Sequence, residues 1–277
     1  MDSTLLTTGP STWVLLTILL AAAALLSRFL LGRPALPVLA SGLRAALQLA
    51  VVALLISRLA GHPAAAAGFI LLMFTVAAAT AGSRVTTGSR RWLMAVPIAA
   101  GVAPVLALML GFGVLPLNAL ALIAVTGQLI GGAMTAATLA GRRILGELHS
   151  RRGEVEAALA LGFPTAEARR LVAGAVAGEA LLPALDQTRT VGLVTLPGAF
   201  VGLILGGASP VDAALVQLIV LISLLAVEAL TIAVVLAGAV HGWWPPTVIG
   251  GTTGPADPAA KFAGRFSGLA LRSNRRR

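Results

Sequence analysis

Apolar residues fill seven stretches of the chain, and most are as long as a membrane-crossing helix. They cover approximately residues 12–31, 36–57, 65–82, 93–111, 118–140, 191–206 and 213–240. About 20 helical residues cross a hydrocarbon core of roughly 30 Å, and a helix satisfies its own backbone hydrogen bonds there. The pattern predicts an all-α, polytopic transmembrane bundle of about seven spans, of which 191–206 is short.

Composition supports an integral membrane protein. Of the 277 residues, 58% are hydrophobic and 11% charged, and the mean hydropathy is +0.96, too apolar for a water-soluble core. There is no cysteine, so disulfides and thiol chemistry are excluded. Asp2 and no basic residue precede the first apolar run, which favours a retained helix over a cleaved signal peptide.

Basic residues fall almost entirely on one side of a seven-span arrangement. Cytoplasmic segments carry more Lys and Arg than external ones, so this asymmetry predicts an external N-terminus and a cytoplasmic C-terminus in the cell (inner or plasma) membrane. The excess of Lys and Arg on the cytoplasmic side, where they can contact anionic lipid, explains the net charge of +10. Nucleic acid is therefore not expected as a partner. The arginines before the tail that define this side are Arg28, Arg33, Arg84, Arg90, Arg91, Arg142, Arg143, Arg151, Arg152, Arg169, Arg170 and Arg189.

A charged segment at 141–190 interrupts the apolar pattern. Its residues 152–162 read RGEVEAALALG and resemble the coupling-helix motif of ABC-transporter permeases, a short helix that docks on an ATPase. The alternative is an ordinary solvated amphipathic helix. In the coupling interpretation, acidic side chains meet basic groups of the ATPase and small residues keep the helix slim; these residues are Glu154, Glu156, Ala157, Ala158 and Gly162.

Pro164 and Thr165 punctuate this segment after Gly162, which predicts a break followed by a second helix. An alternative is that both helices are one kinked extension of the fifth span. In either case the segment 141–190 is expected in the cytoplasm.

The chain cannot bind ATP through a P-loop. That loop requires the pattern GxxxxGK[ST], and the single lysine, Lys261, lies between Ala260 and Phe262. If ATP drives the protein, a separate ATPase subunit binds ATP and magnesium, and this chain carries no cofactor and no enzymatic activity.

Two further motifs lie in the run 191–210: TLPG at 195–198 and LGGASP at 205–210. Together with EAALALG at 156–162 and ALQL at 46–49, they resemble the FetB-type (YbbM-like) iron-export permease family, whose plant relatives are linked to aluminium tolerance. The resemblance implies the membrane subunit of an ABC exporter, a homodimer with two separate ATPase subunits, and iron or a related metal as cargo. The importer form of the coupling motif, with Ile-x-Leu-Pro after the glycine, is absent.

Small residues and a proline in this run have a physical interpretation of their own. Recurring glycines let neighbouring helices approach closely, and a proline in mid-span removes a backbone hydrogen bond and kinks the helix. We expect helix packing, or alternatively a moving gate, at Pro197, Gly198, Gly202 and Gly206.

Polar side chains inside the spans are the candidates for a transport path. An intramembrane carboxylate is costly unless it is paired or hydrated, so Glu228 is the first candidate, and Gln217, eleven residues earlier, shares its helix face. Arg44 and Gln48 on the second span could supply a counter-charge, which leaves a structural ion pair or cation handling as alternatives. The full set is Arg44, Gln48, Gln128, Gln217 and Glu228.

Metal ligands remain unknown at this point. The three histidines, His62, His149 and His241, lie outside the spans and far apart in sequence, and Gln128 and Met134 are more typical of packing than of ligation. Iron as cargo therefore follows from the resemblance alone.

The chain divides into a transmembrane permease domain at 1–240, which includes the coupling segment, and a mobile, basic cytoplasmic tail at 241–277. Trp243 and Trp244 are expected at the membrane interface. The function hypothesis is a permease subunit of an ATP-driven metal exporter; the alternative is a secondary transporter or channel driven by an ion gradient through Glu228. A membrane-embedded enzyme is disfavoured, because no cluster of His, Asp and Glu gathers on the spans.

Overall fold

The computed structural model describes residues 9–59 and 62–244. Within these ranges the chain forms ten α-helices and two 3₁₀ turns, Ser89–Met94 and Gly178–Leu181. This confirms the all-α polytopic bundle, with six helices long and apolar enough to cross a membrane in the described part. The helices are α1 (Pro10–Phe29), α2 (Leu36–Leu59), α3 (Pro63–Val85), α4 (Ala95–Gly111), α5 (Ala119–Ser150), α6 (Arg152–Ala160), α7 (Thr165–Ala177), α8 (Leu182–Thr190), α9 (Gly198–Leu205) and α10 (Pro210–Val240).

The centre of the bundle is formed by α3, α4, α5 and α10, which share one buried apolar cluster. Glycines make the closest helix contacts possible there: a Cβ on any of them would overlap a neighbouring helix or turn, so only glycine permits the approach. These glycines are Gly82 against Arg91, Gly101 against Thr231, Gly132 against Leu224, and Gly141 against Val85 and Met94.

Helices α5 and α10 run parallel. Gly132 of α5 faces Leu224 and Glu228 of α10, and Leu148 near the end of α5 lies beside Ala239 near the end of α10. Most of the arginines expected in the cytoplasm belong to this end of the bundle, where α3 also ends and α4 begins; we call it the basic end.

Since α5 and α10 point the same way, the chain between them must return to the opposite end. It does so through residues 165–205, here called the return segment, which comprises α7, the second 3₁₀ turn, α8, an irregular turn at 191–197, and α9. All of these helical pieces pack on α10. Arg169 at one end donates to the carbonyl of Val240 at 3.2 Å, and Val191 lies beside Gln217 near the other.

The expected single span at 191–206 is therefore wrong. Residues 191–197 form a turn in which Gly192 has φ of +84°, and Pro197 is the N-cap of α9, which has only eight residues. Gly192 adopts a left-handed conformation that a helix cannot contain, and a proline fits just before a helix begins. The seventh crossing is a broken segment of the chain.

The end of α5 also differs from expectation. Helix α5 continues to Ser150 instead of ending near residue 140, because arginine, glutamate and leucine are good helix formers beyond the apolar stretch. The predicted coupling segment, residues 141–190, thus begins inside α5. Its second half, from residue 165 onward, belongs to the return segment.

The predicted mobile tail lies mostly outside the described residues, but its first four residues are folded. Trp244 is 1% exposed, and its Nε1 donates to the carbonyl of Arg90 at 3.2 Å. Trp244 therefore packs inside the basic end of the bundle. The sequence pattern placed it at the membrane interface, and this prediction is wrong for Trp244.

Candidate functional site

The first candidate site is α6 at the basic end. It follows α5 after a single residue, Arg151, and packs mainly on α7. A groove of about 310 Å³ beneath it is lined by residues of α5, α6, α7 and the end of α10, among them His149, Glu156, Arg169 and Trp244. Helix α6 thus contacts the end of α5 directly and is connected to α10 through α7, which packs on both α6 and α10.

Both acidic side chains predicted to meet an ATPase are already paired within the segment. Arg151 Nε donates to Glu154 at 2.6 Å, and Arg152 Nε donates to Glu156 at 2.7 Å. The hydrogen bond from Arg151 lowers the pKa of the Glu154 carboxyl below its ordinary value, and the same contact raises the pKa of Arg151. α6 therefore presents alternating, internally balanced charges in place of an acidic surface.

The small residues of the motif take different positions. Ala157 is exposed whereas Ala158 is buried, so only Ala157 is available to a partner. Gly162 has φ of +90° with open space around it, and its N–H donates to the carbonyl of Leu159 at 3.0 Å. It therefore stops α6 with a left-handed turn, a role different from keeping the helix slim.

An exposed apolar patch at the turn between α6 and α7 was missed by the sequence analysis. Leu161 is 80% exposed and Leu171 61% exposed, and Phe163 lies between them beside a cavity shared with Glu167 and Arg170. Its signal in the sequence is the placement of large apolar residues on both sides of the glycine turn in a charged segment.

The second candidate site is the α10 stripe that carries Gln217 and Glu228. Glu228 is half-buried against α5, where a Cβ on Gly132 would lie 3.0 Å from Glu228 Oε1. It forms no ion pair within the described chain. Gln128 lies one helical turn from Gly132 on the same face of α5 and is exposed. The valley between α5 and α10 therefore contains a carboxylate and an amide.

Gln217 lies two to three turns along the same stripe of α10. Its side chain is 8% exposed, and Oε1 has no hydrogen-bond partner. It lines a cavity of about 390 Å³ between α10 and the turn at 191–197, together with Leu196, Pro197, Phe200 and Leu221. A buried amide oxygen left unpaired costs about 1–3 kcal/mol, so the amide of Gln217 is available to hydrogen-bond a group that enters this cavity.

The predicted counter-charge does not reach Glu228. Arg44 and Gln48 lie exposed on α2, and α2 makes few contacts with the bundle beyond α1. Arg44 takes part in none of the ion pairs of the described chain. The interpretation of Glu228 as half of an Arg44 ion pair is wrong for a single chain.

The glycines of α9 do not pack on another helix among the residues that the structure describes. A Cβ on Gly198 or Gly202 would meet open space, and one on Gly206 would meet only carbonyls of its own helix. Within one chain, the packing expected of this motif is carried by the glycines of α3, α4 and α5 instead.

No group of three or more His, Asp or Glu side chains suited to a metal ion occurs in residues 9–59 and 62–244. The described part of the chain thus contains a half-buried carboxylate beside α5, a cavity with an unpaired amide and an exposed, charged helix at the basic end, but no group of side chains arranged for a metal ion.

The pattern of the uncharacterised protein family UPF0014 matches residues 10–243. The chain belongs to this family. It is 38% identical over 183 residues to the UPF0014 membrane protein STAR2 of Oryza sativa subsp. japonica, which covers 64% of either chain. It is 32% identical over 194 residues to the UPF0014 membrane protein YjkA of Bacillus subtilis, covering 68% of this chain and 77% of YjkA.

A third similar protein is the probable iron export permease protein FetB of Escherichia coli, 30% identical over 138 residues that cover 50% of this chain and 52% of FetB. The UPF0014 chain therefore spans about half to two thirds of the length of STAR2 and FetB. No solved structure matches it. Family and architecture together make it a multi-pass membrane protein.

Proposed function

We propose that this UPF0014 protein is the permease subunit of an ATP-driven ABC exporter for iron or a related metal ion. Two copies form the membrane part, and a separate ATPase docks on α6 of each copy. The observation that carries this proposal is the position of α6, which is exposed at the basic end, contacts α5 and is connected to α10 through α7.

The docking surface combines α6 with the apolar patch of Leu161, Phe163 and Leu171. Exposed apolar side chains surrounded by charged ones are typical of protein interaction sites. The ion pairs along α6 keep its charged side chains in fixed positions, so an ATPase meets a rigid helix with an apolar end. Movement of that ATPase would displace α6 and, through it, the ends of α5 and α10.

Iron as cargo is supported by the name of FetB, a relative of 30% identity, and by the valley between α5 and α10 that contains Glu228. A hard cation prefers carboxylate and amide oxygens, and Glu228 and Gln128 supply both kinds. In this proposal the valley is a path in which Glu228 and Gln128 bind the ion weakly, because transport requires release of the ion as well as binding.

A second candidate function is a secondary transporter driven by an ion gradient through Glu228. The unpaired carboxylate in α10 favours it, because such residues often mark proton or ion pathways in membrane proteins. In that case the surface of α6 binds no ATPase.

The test is co-purification of the tagged protein from its native host, followed by identification of any bound protein that contains a P-loop and hydrolyses ATP. Leu161→Asp places a charge in the patch, and Leu117→Asp, on a residue 83% exposed at the opposite end, is the matched control. We expect wild type and Leu117→Asp to retain an ATPase, and Leu161→Asp to lose it.

The captured ATPase is then reconstituted with the permease in vesicles loaded with ferrous iron. ATP-dependent iron movement supports the proposal. Transport that needs a proton gradient and no ATPase would instead establish the secondary transporter, and retention of the ATPase by Leu161→Asp would exclude this docking surface.

A further inference from the structure

Helix α8 carries charges at a depth where the rest of the bundle is apolar. Two observations give the position of α8 along the bundle axis. Glu179, just before α8, accepts from Arg143 of α5 at 2.6 Å. Val191, just after α8, lines the same cavity as Gln217 of α10. Between these two levels α10 is an apolar span. Asp186 and Arg189 of α8 are therefore at membrane depth, although their sequence position suggests the cytoplasm.

Both charged side chains are largely exposed and, within the described chain, form an ion pair only with each other. Asp186 is 70% exposed and Arg189 71% exposed, with 3.8 Å between Asp186 Oδ1 and Arg189 Nη1. Contact with lipid would be costly for each of them, and charged residues at this depth almost always face protein or water. Something other than lipid covers this face of α8.

The turn that follows α8 has the same requirement. Residues 191–197 have irregular backbone, and lipid-exposed irregular backbone does not occur in the hydrocarbon region. Nevertheless Leu193 is 93% exposed and Val194 77% exposed. Such exposed leucine and valine side chains fit a protein surface better than a water-filled channel.

The next helix, α9, offers a close-packing surface without an occupant. Gly198 and Gly202 are four residues apart and a Cβ on either would meet open space. Small residues at this spacing let two membrane helices approach closely. The charges, the exposed apolar turn and the glycines follow one another along one part of the chain, and none of the described residues covers them.

We propose that residues 182–205, the self-contact surface, bind the same residues of a second copy of this chain about a twofold axis. In a twofold contact a residue pair forms twice, so Asp186 of each copy meets Arg189 of the other. This acidic–basic pair is self-complementary, which identifies a second copy as the occupant. The inference rests on the proposed homodimer and specifies its interface.

The first experiment uses single-cysteine variants, since the native chain has no cysteine. Leu193→Cys lies in the self-contact surface. Leu71→Cys, 65% exposed, lies on α3, which packs on α5 and the first 3₁₀ turn instead of the return segment. In native membranes treated with copper phenanthroline, we expect Leu193→Cys to yield disulfide-linked dimers about tenfold more than Leu71→Cys, as expected for a specific contact.

The second experiment tests the charge pair. Asp186→Arg and Arg189→Asp, each combined with Leu193→Cys and carrying a different tag, are expressed separately and together. Either variant alone brings four like charges together in its homodimer. In the mixed dimer, two Arg on one copy face two Asp on the other. We expect mixed dimers to exceed each homodimer by about tenfold, because juxtaposed like charges are strongly unfavourable.

Equal cross-linking at Leu193→Cys and Leu71→Cys would overturn the inference, as would mixed dimers no more abundant than homodimers. Labelling of Asp186→Cys by a water-soluble maleimide, without cross-linking at Leu193→Cys, would show instead that α8 faces a water-filled path. Loss of this interface with ATP-dependent export retained contradicts the inference alone. A specific cross-link with no captured ATPase contradicts the proposed function alone.

Discussion

Glu228 is the residue at which stability and the proposed transport function are expected to oppose each other. It lies half-buried in α10, with no ion-pair partner in the described chain and with Gly132 of α5 making room for its carboxylate. An ionised carboxylate at the centre of a membrane helix costs about 2.5–3.5 kcal/mol. A residue with this cost and no compensating pair is expected to contribute to function.

Replacement of Glu228 by Gln should therefore raise the thermal unfolding midpoint and reduce transport together. The amide keeps the shape of the side chain and removes its charge, so the desolvation cost falls. We expect iron export by the reconstituted protein to drop by about tenfold or more, which corresponds to roughly 1.4 kcal/mol.

Asp212→Asn is the matched control, because Asp212 is also an acidic residue of α10. It lies exposed in the first turn, where it accepts from the Ser209 hydroxyl at 2.6 Å and favours the positive helix N-terminus. Its neutralisation should slightly lower the unfolding midpoint and leave transport unchanged. Unchanged export in Glu228→Gln would remove Glu228 from the transport path.

The sequence predicted the positions of some candidate residues and gave no indication of others, for a physical reason. The spacing of eleven residues placed Gln217 and Glu228 on one face of α10, and the structure has both facing inward. Asp186 and Arg189 were missed because charge and position in a polar segment gave no information about depth. Only the cavity that Val191 and Gln217 both line shows how far along α10 the return segment extends.

At the scale of elements, α6 depends on the way in which it ends. Gly162 holds φ of +90°, a conformation that an alanine adopts only with strain, although no neighbouring atom would obstruct a Cβ. This turn directs the chain from α6 into α7 and presents Leu161 and Phe163 on its outer side. The direction in which Leu161 and Phe163 are presented on the proposed docking surface thus depends on the left-handed conformation of Gly162.

Gly162→Ala should lower the thermal unfolding midpoint and weaken ATPase capture. The strain of a left-handed alanine is about 1 kcal/mol, equivalent to about 2–4 °C for a chain of 150–250 residues. Gly153→Ala is the control, since Gly153 lies in α6 in open space with helical backbone and alanine favours the helix. Differential scanning fluorimetry in detergent measures both. A midpoint unchanged in Gly162→Ala would mean that the turn is not strained by a side chain.

The return segment marks the limit of hydrophobic pattern as a guide to elements. Residues 191–206 are apolar enough for a span, but apolar composition does not reveal that Gly192 adopts a left-handed conformation or that Pro197 begins a helix. The long helices were predicted because their apolar stretches are longer than the membrane and contain no such interruption. The extension of α5 to Ser150 was missed because a helix can continue into water on propensity alone.

At the scale of the whole molecule, the parallel arrangement of α5 and α10 determines the number of crossings. Six long helices account for six crossings, and the broken return segment supplies the seventh. An odd number of crossings separates the two ends of the bundle, so the N-terminus of α1 and the C-terminus of α10 are on opposite sides. The positive-inside rule predicts that the basic end lies in the cytoplasm.

Cysteine accessibility in cells tests this topology directly. Leu117→Cys lies at the opposite end, and Leu161→Cys lies at the basic end; the two native leucines are 83% and 80% exposed. A membrane-impermeant maleimide should label Leu117→Cys in intact cells and Leu161→Cys only after permeabilisation. The reverse result would place α6 outside the cell, where no ATPase has access to ATP, and would contradict the proposed exporter together with its orientation. Labelling of both in intact cells would show that the bundle does not separate its ends as the seven crossings require.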